Sequence, residues 1–376
     1  MRKISEKISA ILPSATIEIS DRAKKMKEEG IDIISLSIGE PDFDTPEHIT
    51  EACIKALVGG KTHYAPSAGI TELRHAISEK VSTENGIPAT SDDILVSCGA
   101  KNSIYEAMEA VLNPGDEVLL LDPAWVSYEP SVQIAGGRVT HHPLNKKTFQ
   151  VDDSLLEKVS SNTRMIVFNT PSNPTGSVID RESLTLIRDI CEDNDIIAMS
   201  DEIYEKLIYG KEHISIASMD GMAERTITIN GFSKAYAMTG WRIGYTVAPP
   251  EILRQMIKVQ QHTISHPTTF AMWGAVAAIE GDQTCVETMR QEFEKRRDYV
   301  TSALSDMGYE TAPAEGAFYA FVHVGGDDLE VAKQWLNEGH VAAIPGSAFY
   351  APGWLRLSYA ADLLTLKEAM RRISEL

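Results

Sequence analysis

A lysine set among small and apolar residues is the first position in this chain that suggests chemistry. Lys234 lies in the stretch NGFSKAYAMTGWRIGY at 230–245, directly after the β-branched run 226–229, and Arg242 follows eight positions later. Burial penalises an ammonium group and lowers its pKa, so such a lysine can act as the neutral amine that attacks a carbonyl. From these residues alone, a lysine that reaches solvent from a strand-to-helix turn stays the alternative.

Polar and small residues also follow two predicted strands. The apolar run 196–200 predicts a strand, and Asp201 comes directly after it, at the sheet edge where α/β proteins form their sites. A helix cap or a turn carboxylate is the alternative for Asp201. Gly99, Ala100 and Lys101 lie between a predicted strand and a predicted helix, where small residues let backbone N–H groups approach a phosphate.

An arginine flanked by apolar residues marks the predicted strand LRLSY at 355–359. Arg356 either faces outward from this strand or is buried and binds a carboxylate. Asn173 belongs to NPTG at 173–176, which by itself is only a turn signal. Trp125 precedes a predicted helix, where a tryptophan more often belongs to the core. Taken singly, none of these residues identifies a site.

Taken in order, these motifs resemble the class I aminotransferases, which use pyridoxal 5′-phosphate (PLP) on the fold type I scaffold. The resemblance extends over nearly the whole chain, from GEPDFDTP at 39–46 through NPTG at 173–176 and SDEIY at 200–204 to RLSY at 356–359. Within that family, the chain looks most like the prokaryotic aspartate aminotransferases.

The resemblance assigns the cofactor-binding roles. It implies that Lys234 holds the cofactor aldehyde, that Asp201 keeps the pyridine nitrogen protonated and that Trp125 stacks on the ring. Asn173 and Tyr204 would donate hydrogen bonds to the phenolic oxygen. The implied phosphate partners are Gly99, Ala100, Lys101, Ser233, Arg242 and, from the neighbouring subunit of a homodimer, Tyr64.

The resemblance also assigns the substrate-binding residues. Arg356 would hold the α-carboxylate bidentately, assisted by the backbone of Gly39 and by Asn173, with Trp125 beside it. Lys101 and Thr16 would contact the distal carboxylate of a dicarboxylic substrate. The segment 264–269 shows no counterpart of the distal arginine of the animal-type enzymes. A solvated lysine or a general attractor for phosphate is the alternative for Lys101.

The reaction implied is transamination by a ping-pong mechanism, with L-aspartate and 2-oxoglutarate as the preferred pair. Alanine, aromatic amino acids and prephenate are alternative substrates, because relatives share the cofactor residues. A PLP-dependent C–S lyase on the same scaffold is a second class. A PLP-binding regulator is a third, but only about forty residues precede Gly39, too few for a separate DNA-binding domain.

Alternating apolar runs and helical segments from Ile94 onward predict an α/β fold, with a mostly parallel sheet between helices. The resemblance implies fold type I, with seven strands in the large domain and a smaller α+β domain. Near the N-terminus, the pattern predicts a helix over 20–29 and a β-rich run over 31–38. We expect an N-terminal arm with part of the small domain at 1–45, a large PLP-binding domain at 46–280 and a small domain at 281–376.

Composition excludes several classes of protein. The 376 residues carry a net charge of -19, with acids scattered along the chain, which argues against a nucleic-acid partner. No apolar run reaches membrane-spanning length, and the first residues lack the apolar segment of a secretion signal, so we expect a cytoplasmic protein. The spacing of cysteines and histidines predicts neither disulfides nor a metal site, the histidines being surface or loop residues. These residues are Cys53, Cys98, Cys191 and Cys285, and His141, His142, His262 and His266.

Overall fold

The computed structural model describes residues 4–11 and 15–376, and of residues 15–18 and 20 it describes the backbone alone. The described strands are β1 (Ile34–Ser35), β2 (Ile94–Ser97), β3 (Glu117–Asp122), β4 (Arg138–Pro143), β5 (Thr163–Asn169), β6 (Ile197–Asp201), β7 (Thr226–Gly231), β8 (Gly244–Val247), β9 (Glu310–Thr311), β10 (Tyr319–His323), β11 (Val341–Ala342), β12 (Ile344–Pro345) and β13 (Trp354–Ser358). The described helices are α1 (Glu6–Ser9), α2 (Ala15–Glu28), α3 (Glu47–Val58), α4 (Thr71–Glu84), α5 (Ala100–Val111), α6 (Tyr128–Ala135), α7 (Arg181–Asn194), α8 (Pro250–Thr263), α9 (Thr269–Glu280), α10 (Thr284–Asp306), α11 (Asp328–Asn337) and α12 (Leu363–Ser374).

A seven-stranded sheet forms the centre of the molecule, in the order β2-β8-β7-β6-β5-β3-β4. Strand β8 is antiparallel to both of its neighbours, and the other pairs are parallel. The predicted mostly parallel sheet is therefore confirmed. Strand β8 had not been predicted, because four residues beginning with a glycine carry little strand signal.

The sheet is covered on both faces, which explains why its strands read as apolar runs. On one face, α5, α6 and α8 contribute Ile104, Val132 and Leu253 to a shared core. On the other, α7 packs Ile187 against Ile166 of β5. With both faces covered, the edge at the carboxyl ends of the parallel strands is where side chains can meet a ligand.

A second, antiparallel sheet of four strands lies in the order β12-β13-β10-β9. Its core contains Leu355, Phe318 and Trp335, together with Phe293 of the long helix α10. Strand β1 joins this part of the chain by pairing in parallel with β11, through Ile34 with Val341. The N-terminal segment therefore packs with the C-terminal third.

Two expectations near the N-terminus need correction. Helix α2 begins at Ala15, five residues before the expected start. The run 31–38 forms only the two-residue strand β1, and its last residues, Ser37 and Ile38, border a cleft. No helix in the described part of the chain is both long and apolar enough to cross a membrane.

Candidate active site

A cleft of about 590 Å³ opens at the carboxyl edge of the large sheet. Loops after β2, β5, β6 and β7 border it, and β10 and β13 of the small sheet close it on the other side. Most of the site residues predicted from sequence line this cleft. They are Gly39, Ala100, Lys101, Trp125, Asn173, Asp201, Tyr204, Ser233, Lys234, Arg242 and Arg356.

Lys234 follows β7 by three residues and extends into the cleft, where its Nζ donates a 2.6 Å hydrogen bond to the carbonyl oxygen of Gly39. Burial lowers the pKa of this amine to about 8, and the charges of Arg356 and Arg242 act in the same direction. Glu40 opposes them. At pH 7 a pKa of about 8 leaves roughly one tenth of Lys234 neutral, far more than for an ordinary lysine, and this neutral form is what a nucleophilic or proton-accepting amine requires.

Asp201, the last residue of β6, is buried at the floor of the cleft. The Tyr128 phenol donates a 2.7 Å hydrogen bond to its Oδ2, and the Ile203 backbone N–H donates a 3.3 Å bond to its Oδ1. Burial nevertheless raises the pKa of Asp201 to about 6, because these donors offset only part of the desolvation. A carboxylate held this way is suited to a cationic partner that enters the cleft.

An anion-binding corner forms where β2 gives way to α5. Gly99 precedes the helix with φ of 82°, and a Cβ there would lie 2.5 Å from Nη2 of Arg242. The Arg242 guanidinium therefore lies directly over the glycine, and its Nη1 donates a 2.8 Å hydrogen bond to the Thr239 carbonyl. The α5 N-terminus adds its backbone N–H groups, and Ser233 borders the same cleft.

Arg356 is buried, which excludes the outward-facing alternative left open by the sequence. Its Nη1 donates a 3.0 Å hydrogen bond to Oδ1 of Asn173, and its Nη2 donates a 2.5 Å bond to the Ser37 carbonyl. No described carboxylate pairs with it, and its Nε has no hydrogen-bond partner among the described atoms. A buried guanidinium supported only by neutral groups is ready to bind an anionic ligand.

Aromatic groups frame the same space. The hydroxyls of Tyr204 and Tyr319 share a 2.8 Å hydrogen bond. Tyr319 also packs so closely on Gly39 that a Cβ at that glycine would lie 2.2 Å from its hydroxyl oxygen. Lys101 places its Nζ 4.8 Å from the centre of the Trp125 ring. Burial lowers the pKa of Lys101, and the nearby Arg242 charge adds to that effect.

The predicted residues that do not border the cleft are Gly99, Tyr64 and Thr16, of which Gly99 lies against Arg242 at the anion-binding corner. Tyr64 is 92% exposed and packs edge-on against His266. Thr16 lies in α2, but its side chain is outside the described residues.

Sequence reasoning missed Tyr128, Tyr319, Asn169 and Asp21, which also border the cleft. Asn169 closes β5 as Asp201 closes β6, and the two are paired in register. Asp201 was chosen because it lies at the end of a predicted strand, and the same criterion would have selected Asn169. Tyr128, Tyr319 and Asp21 lie in or beside regular elements without a motif of their own, so only the packing of those elements reveals them.

The prediction that the histidines lie at the surface or in loops is wrong for His142, which is buried in β4. Its neighbour His141 is half-buried, with Nδ1 2.9 Å from Oδ2 of Asp122. Its hydrogen bond with Asp122 raises the pKa of His141. Both histidines lie in β4, which packs against α6 and a 3₁₀ turn at 153–158, and the local sequence does not show this packing.

One group of described residues, Glu202, Glu205 and His213, is close enough to hold a metal ion. Every carboxylate in it already has partners. Ser200, Ser215 and His213 bond to Glu202, while Lys80 and Asn85 bond to Glu205. The ammonium of Lys80 would repel a cation, so we interpret the group as a buried ion-pair network.

Comparison with known proteins agrees with this geometry. Residues 31–373 match the family described as aminotransferase class I and II. The chain is 43% identical over 389 residues to the probable aspartate/prephenate aminotransferase of Aquifex aeolicus, covering 100% of this chain and 99% of that protein. It is similar in structure to aspartate aminotransferase from Thermus thermophilus with maleate, with a TM-score of 0.97, 39% identity and 100% of both chains covered. It is also similar to the aromatic aminotransferase of Pyrococcus horikoshii, with a TM-score of 0.90, 43% identity and 95% of this chain and 98% of that chain covered.

Proposed function

The chain belongs to the class I and II aminotransferases, and we propose that it transfers the amino group of L-aspartate to 2-oxoglutarate, giving oxaloacetate and L-glutamate. One observation carries the proposal. Lys234, an amine of lowered pKa, shares a single cleft with a buried acid and two arginines that have no acidic partner in the described part of the chain. Those arginines are Arg242 and Arg356.

The residues fit pyridoxal 5′-phosphate as the cofactor. The corner made by Gly99, Arg242 and the α5 N-terminus suits a phosphate, since it combines a guanidinium with free backbone N–H groups and the missing side chain at Gly99 leaves room for the guanidinium. Asp201 suits a protonated pyridine nitrogen, and Asn173 and Tyr204 suit the phenolic oxygen. When bound, the cofactor supplies a carbonyl for amines and a ring that accepts electrons from the substrate.

The substrate is held by its carboxylates in this proposal. Arg356 binds the α-carboxylate, because its buried guanidinium has neutral partners in Asn173 and Ser37 and one free Nε–H. Lys101, with Thr16, binds the distal carboxylate of aspartate or glutamate. Clamping the α-carboxylate at a fixed point restricts rotation of the substrate and so orients its Cα–H bond for proton removal.

Lys234 moves the proton. Its Nζ takes the proton from Cα of the amino donor and, in the return half of the cycle, gives a proton to Cα of the 2-oxo acid. A pKa of about 8 allows the amine to act in both directions near neutral pH. The hydrogen bond to the Gly39 carbonyl holds Nζ beside the segment 37–39, which also provides the Ser37 carbonyl that accepts a hydrogen bond from Arg356.

We further propose that the active form is a cytoplasmic homodimer. Tyr64 is 92% exposed, and Val58 at the end of α3 is 83% exposed. Side chains of this size favour burial, which supports a contact with a second copy. In that dimer, Tyr64 reaches the partner's phosphate site. Mixing Tyr64→Ala with Lys234→Ala subunits tests this proposal, because only hybrid dimers with shared sites regain activity.

The proposed reaction is tested with Lys234→Ala, using Lys258→Ala on the exposed face of α8 as the control. We expect Lys234→Ala to fold normally, as judged by circular dichroism, and to transfer no amino groups. Substantial remaining activity would refute the assignment of Lys234.

Substrate class is tested on the wild-type enzyme through the absorption band of the bound cofactor. The band should change at a lower concentration of aspartate than of alanine or phenylalanine. A stronger response to phenylalanine would replace aspartate by an aromatic donor. Release of ammonia or sulfide without a 2-oxo acid would indicate a lyase instead.

A further inference from the structure

The charged residues that border the cleft are not all assigned a role by the proposed function. Asp201, Lys234, Arg242, Arg356 and Lys101 each have one. The remaining charged residue is Asp21, on α2. It is exposed, and no described residue forms an ion pair or hydrogen bond with it. The proposed substrates carry carboxylates, and the negative charge of Asp21 would repel them.

The packing of α2 places Asp21 at the cleft. Ala23, two residues further on, is buried against Ile33, Leu336 and Ala342. Helix α2 is therefore held against α11 and β11. Arg22 donates a 3.1 Å hydrogen bond to Oδ1 of Asn337. Held on this side, the helix presents Asp21 to the cleft. This is also the helix that carries Thr16, the residue expected at the distal carboxylate.

Other surfaces that border the same cleft are suited to an uncharged side chain. Ile38 borders the cleft and is 52% exposed, so it offers apolar surface to whatever enters. Trp125 also borders the cleft and adds aromatic surface. Such surfaces favour burial of an apolar or aromatic group. The only described cation left to receive a second carboxylate is Lys101, which has no acidic partner among the described residues.

We propose that Asp21 determines specificity by repelling the distal carboxylate of dicarboxylic substrates, so that the enzyme accepts neutral and aromatic amino acids alongside aspartate. This inference rests on the proposed function and concerns the same cleft. Lys101 attracts a second carboxylate and Asp21 repels it, which reduces the advantage of aspartate over phenylalanine. A neutral side chain is affected by neither charge and contacts Ile38 and Trp125.

The test compares wild-type holoenzyme with Asp21→Asn, which keeps the shape of the side chain and removes its charge. Glu28→Gln, at the far end of α2, is the matched control, because it removes one negative charge outside the cleft. The measurements are kcat/KM for aspartate and for phenylalanine with 2-oxoglutarate, and the dissociation constant of maleate. Asp21→Ala provides a second variant if Asp21→Asn does not fold.

We expect Asp21→Asn to raise the ratio of kcat/KM for aspartate to that for phenylalanine by about fivefold, mainly through KM, as repulsion between two charges that stay exposed to water predicts. Maleate should bind more tightly by a similar factor, and Glu28→Gln should change neither quantity. A ratio within about twofold of wild type in an active variant, or an equal change in Glu28→Gln, overturns the role of Asp21. Wild-type enzyme that transfers no amino group to 2-oxoglutarate overturns the proposed function as well.

Discussion

The phenol of Tyr128, in the first turn of α6, donates a 2.7 Å hydrogen bond to Oδ2 of Asp201 at the end of β6. Both side chains are buried, and the bond spans 73 positions of sequence. It holds the carboxylate in one orientation and favours its ionised form, although burial acts more strongly in the opposite direction.

We expect Tyr128→Phe to weaken binding of pyridoxal phosphate by about tenfold to a hundredfold, because hydrogen bonds to charged groups contribute about 1.5–3 kcal/mol. The pKa of Asp201 should rise further, since a donor to its ionised form is lost. Cofactor titration followed by absorption measures the change. Tyr309→Phe is the control, as Tyr309 packs on Trp335 away from the cleft, and an equal loss in that variant would contradict the prediction.

Replacing the acid at the cleft floor should stabilise the empty protein while it removes activity. The folded-state pKa of Asp201 is raised from 3.8 to about 6, so its ionisation costs stability as pH rises through this interval and the full cost is present above it. Asp201→Asn cannot ionise and should gain about 3 kcal/mol at pH 8 without cofactor, and little at pH 4.

Urea unfolding of the cofactor-free protein at both pH values measures this gain, with the exposed Asp193→Asn as control. The same variant should bind cofactor weakly and transfer no amino groups. A gain that does not depend on pH would disprove the ionisation argument.

The reactivity of Lys234 toward a carbonyl should rise with pH around a midpoint near 8. Burial lowers its pKa to about that value, and attack requires the neutral amine. Exposed lysines titrate near 10.4, so they label slowly at pH 8. The protein is exposed briefly to an aldehyde at each pH, the imine is reduced with borohydride, and mass spectrometry locates the labelled lysines. The labelled fraction of Lys234 plotted against pH gives the midpoint.

A variant tests the electrostatic cause of this midpoint. The charge of Glu40 raises the pKa of Lys234, so Glu40→Gln should move the midpoint to lower pH. A midpoint at or above 10 in the wild-type protein would show that Lys234 is not desolvated in solution.

Adding a methyl group at Gly99 should damage the anion corner. Alanine there would need φ of 82° and a Cβ 2.5 Å from Nη2 of Arg242, so the guanidinium must move. We expect Gly99→Ala to lose about 1–3 kcal/mol of stability from backbone strain and to bind pyridoxal phosphate at least about tenfold more weakly.

Gly210→Ala is a matched control, because Gly210 has φ of 68° with open space around its Cβ position. It should show the stability loss without the loss of cofactor affinity. Equal cofactor affinity in the two variants would mean that Arg242 does not hold the phosphate.

The buried pair Lys80–Glu205 should be a stability element separate from catalysis. Burial by itself would raise the pKa of Glu205, but Lys80, His213 and hydrogen bonds from Lys80 and Asn85 outweigh it and lower the pKa to about 2. This contribution is therefore present above the usual value of 4.5 and is lost as pH falls through 2.

Lys80→Met leaves a buried carboxylate without its cation and should cost about 3–5 kcal/mol of unfolding free energy. Lys258→Met on exposed α8 should cost little. Denaturant titration measures both, and activity per folded molecule should stay near wild type. The double variant Lys80→Met with Glu205→Leu should recover part of the loss, and its failure to do so would assign the effect to packing.

The sequence by itself predicted the large sheet and the identity of most cleft residues. Short apolar runs alternating with helices leave a parallel sheet covered on both faces as the stable arrangement, and the ends of its strands then share one edge. That is why Asp201 could be selected from its position after a strand. Lys234 was a candidate because it lies among small and apolar residues, and the resemblance to the aminotransferases decided between a chemical role and a lysine that reaches solvent.

Tertiary structure decided what local pattern leaves open. A charge within an apolar strand is compatible with either face, and only the packing of β13 against β10 and β12 shows that Arg356 is buried beside Asn173. The bond from Tyr128 to Asp201 and the exposure of Asp21 to the cleft depend likewise on where distant helices dock. Such contacts join residues far apart in the chain, so no short window of sequence contains them. Periodicity and strand ends determine which elements form, whereas side-chain packing between those elements determines which charges are buried, paired or left to meet a ligand.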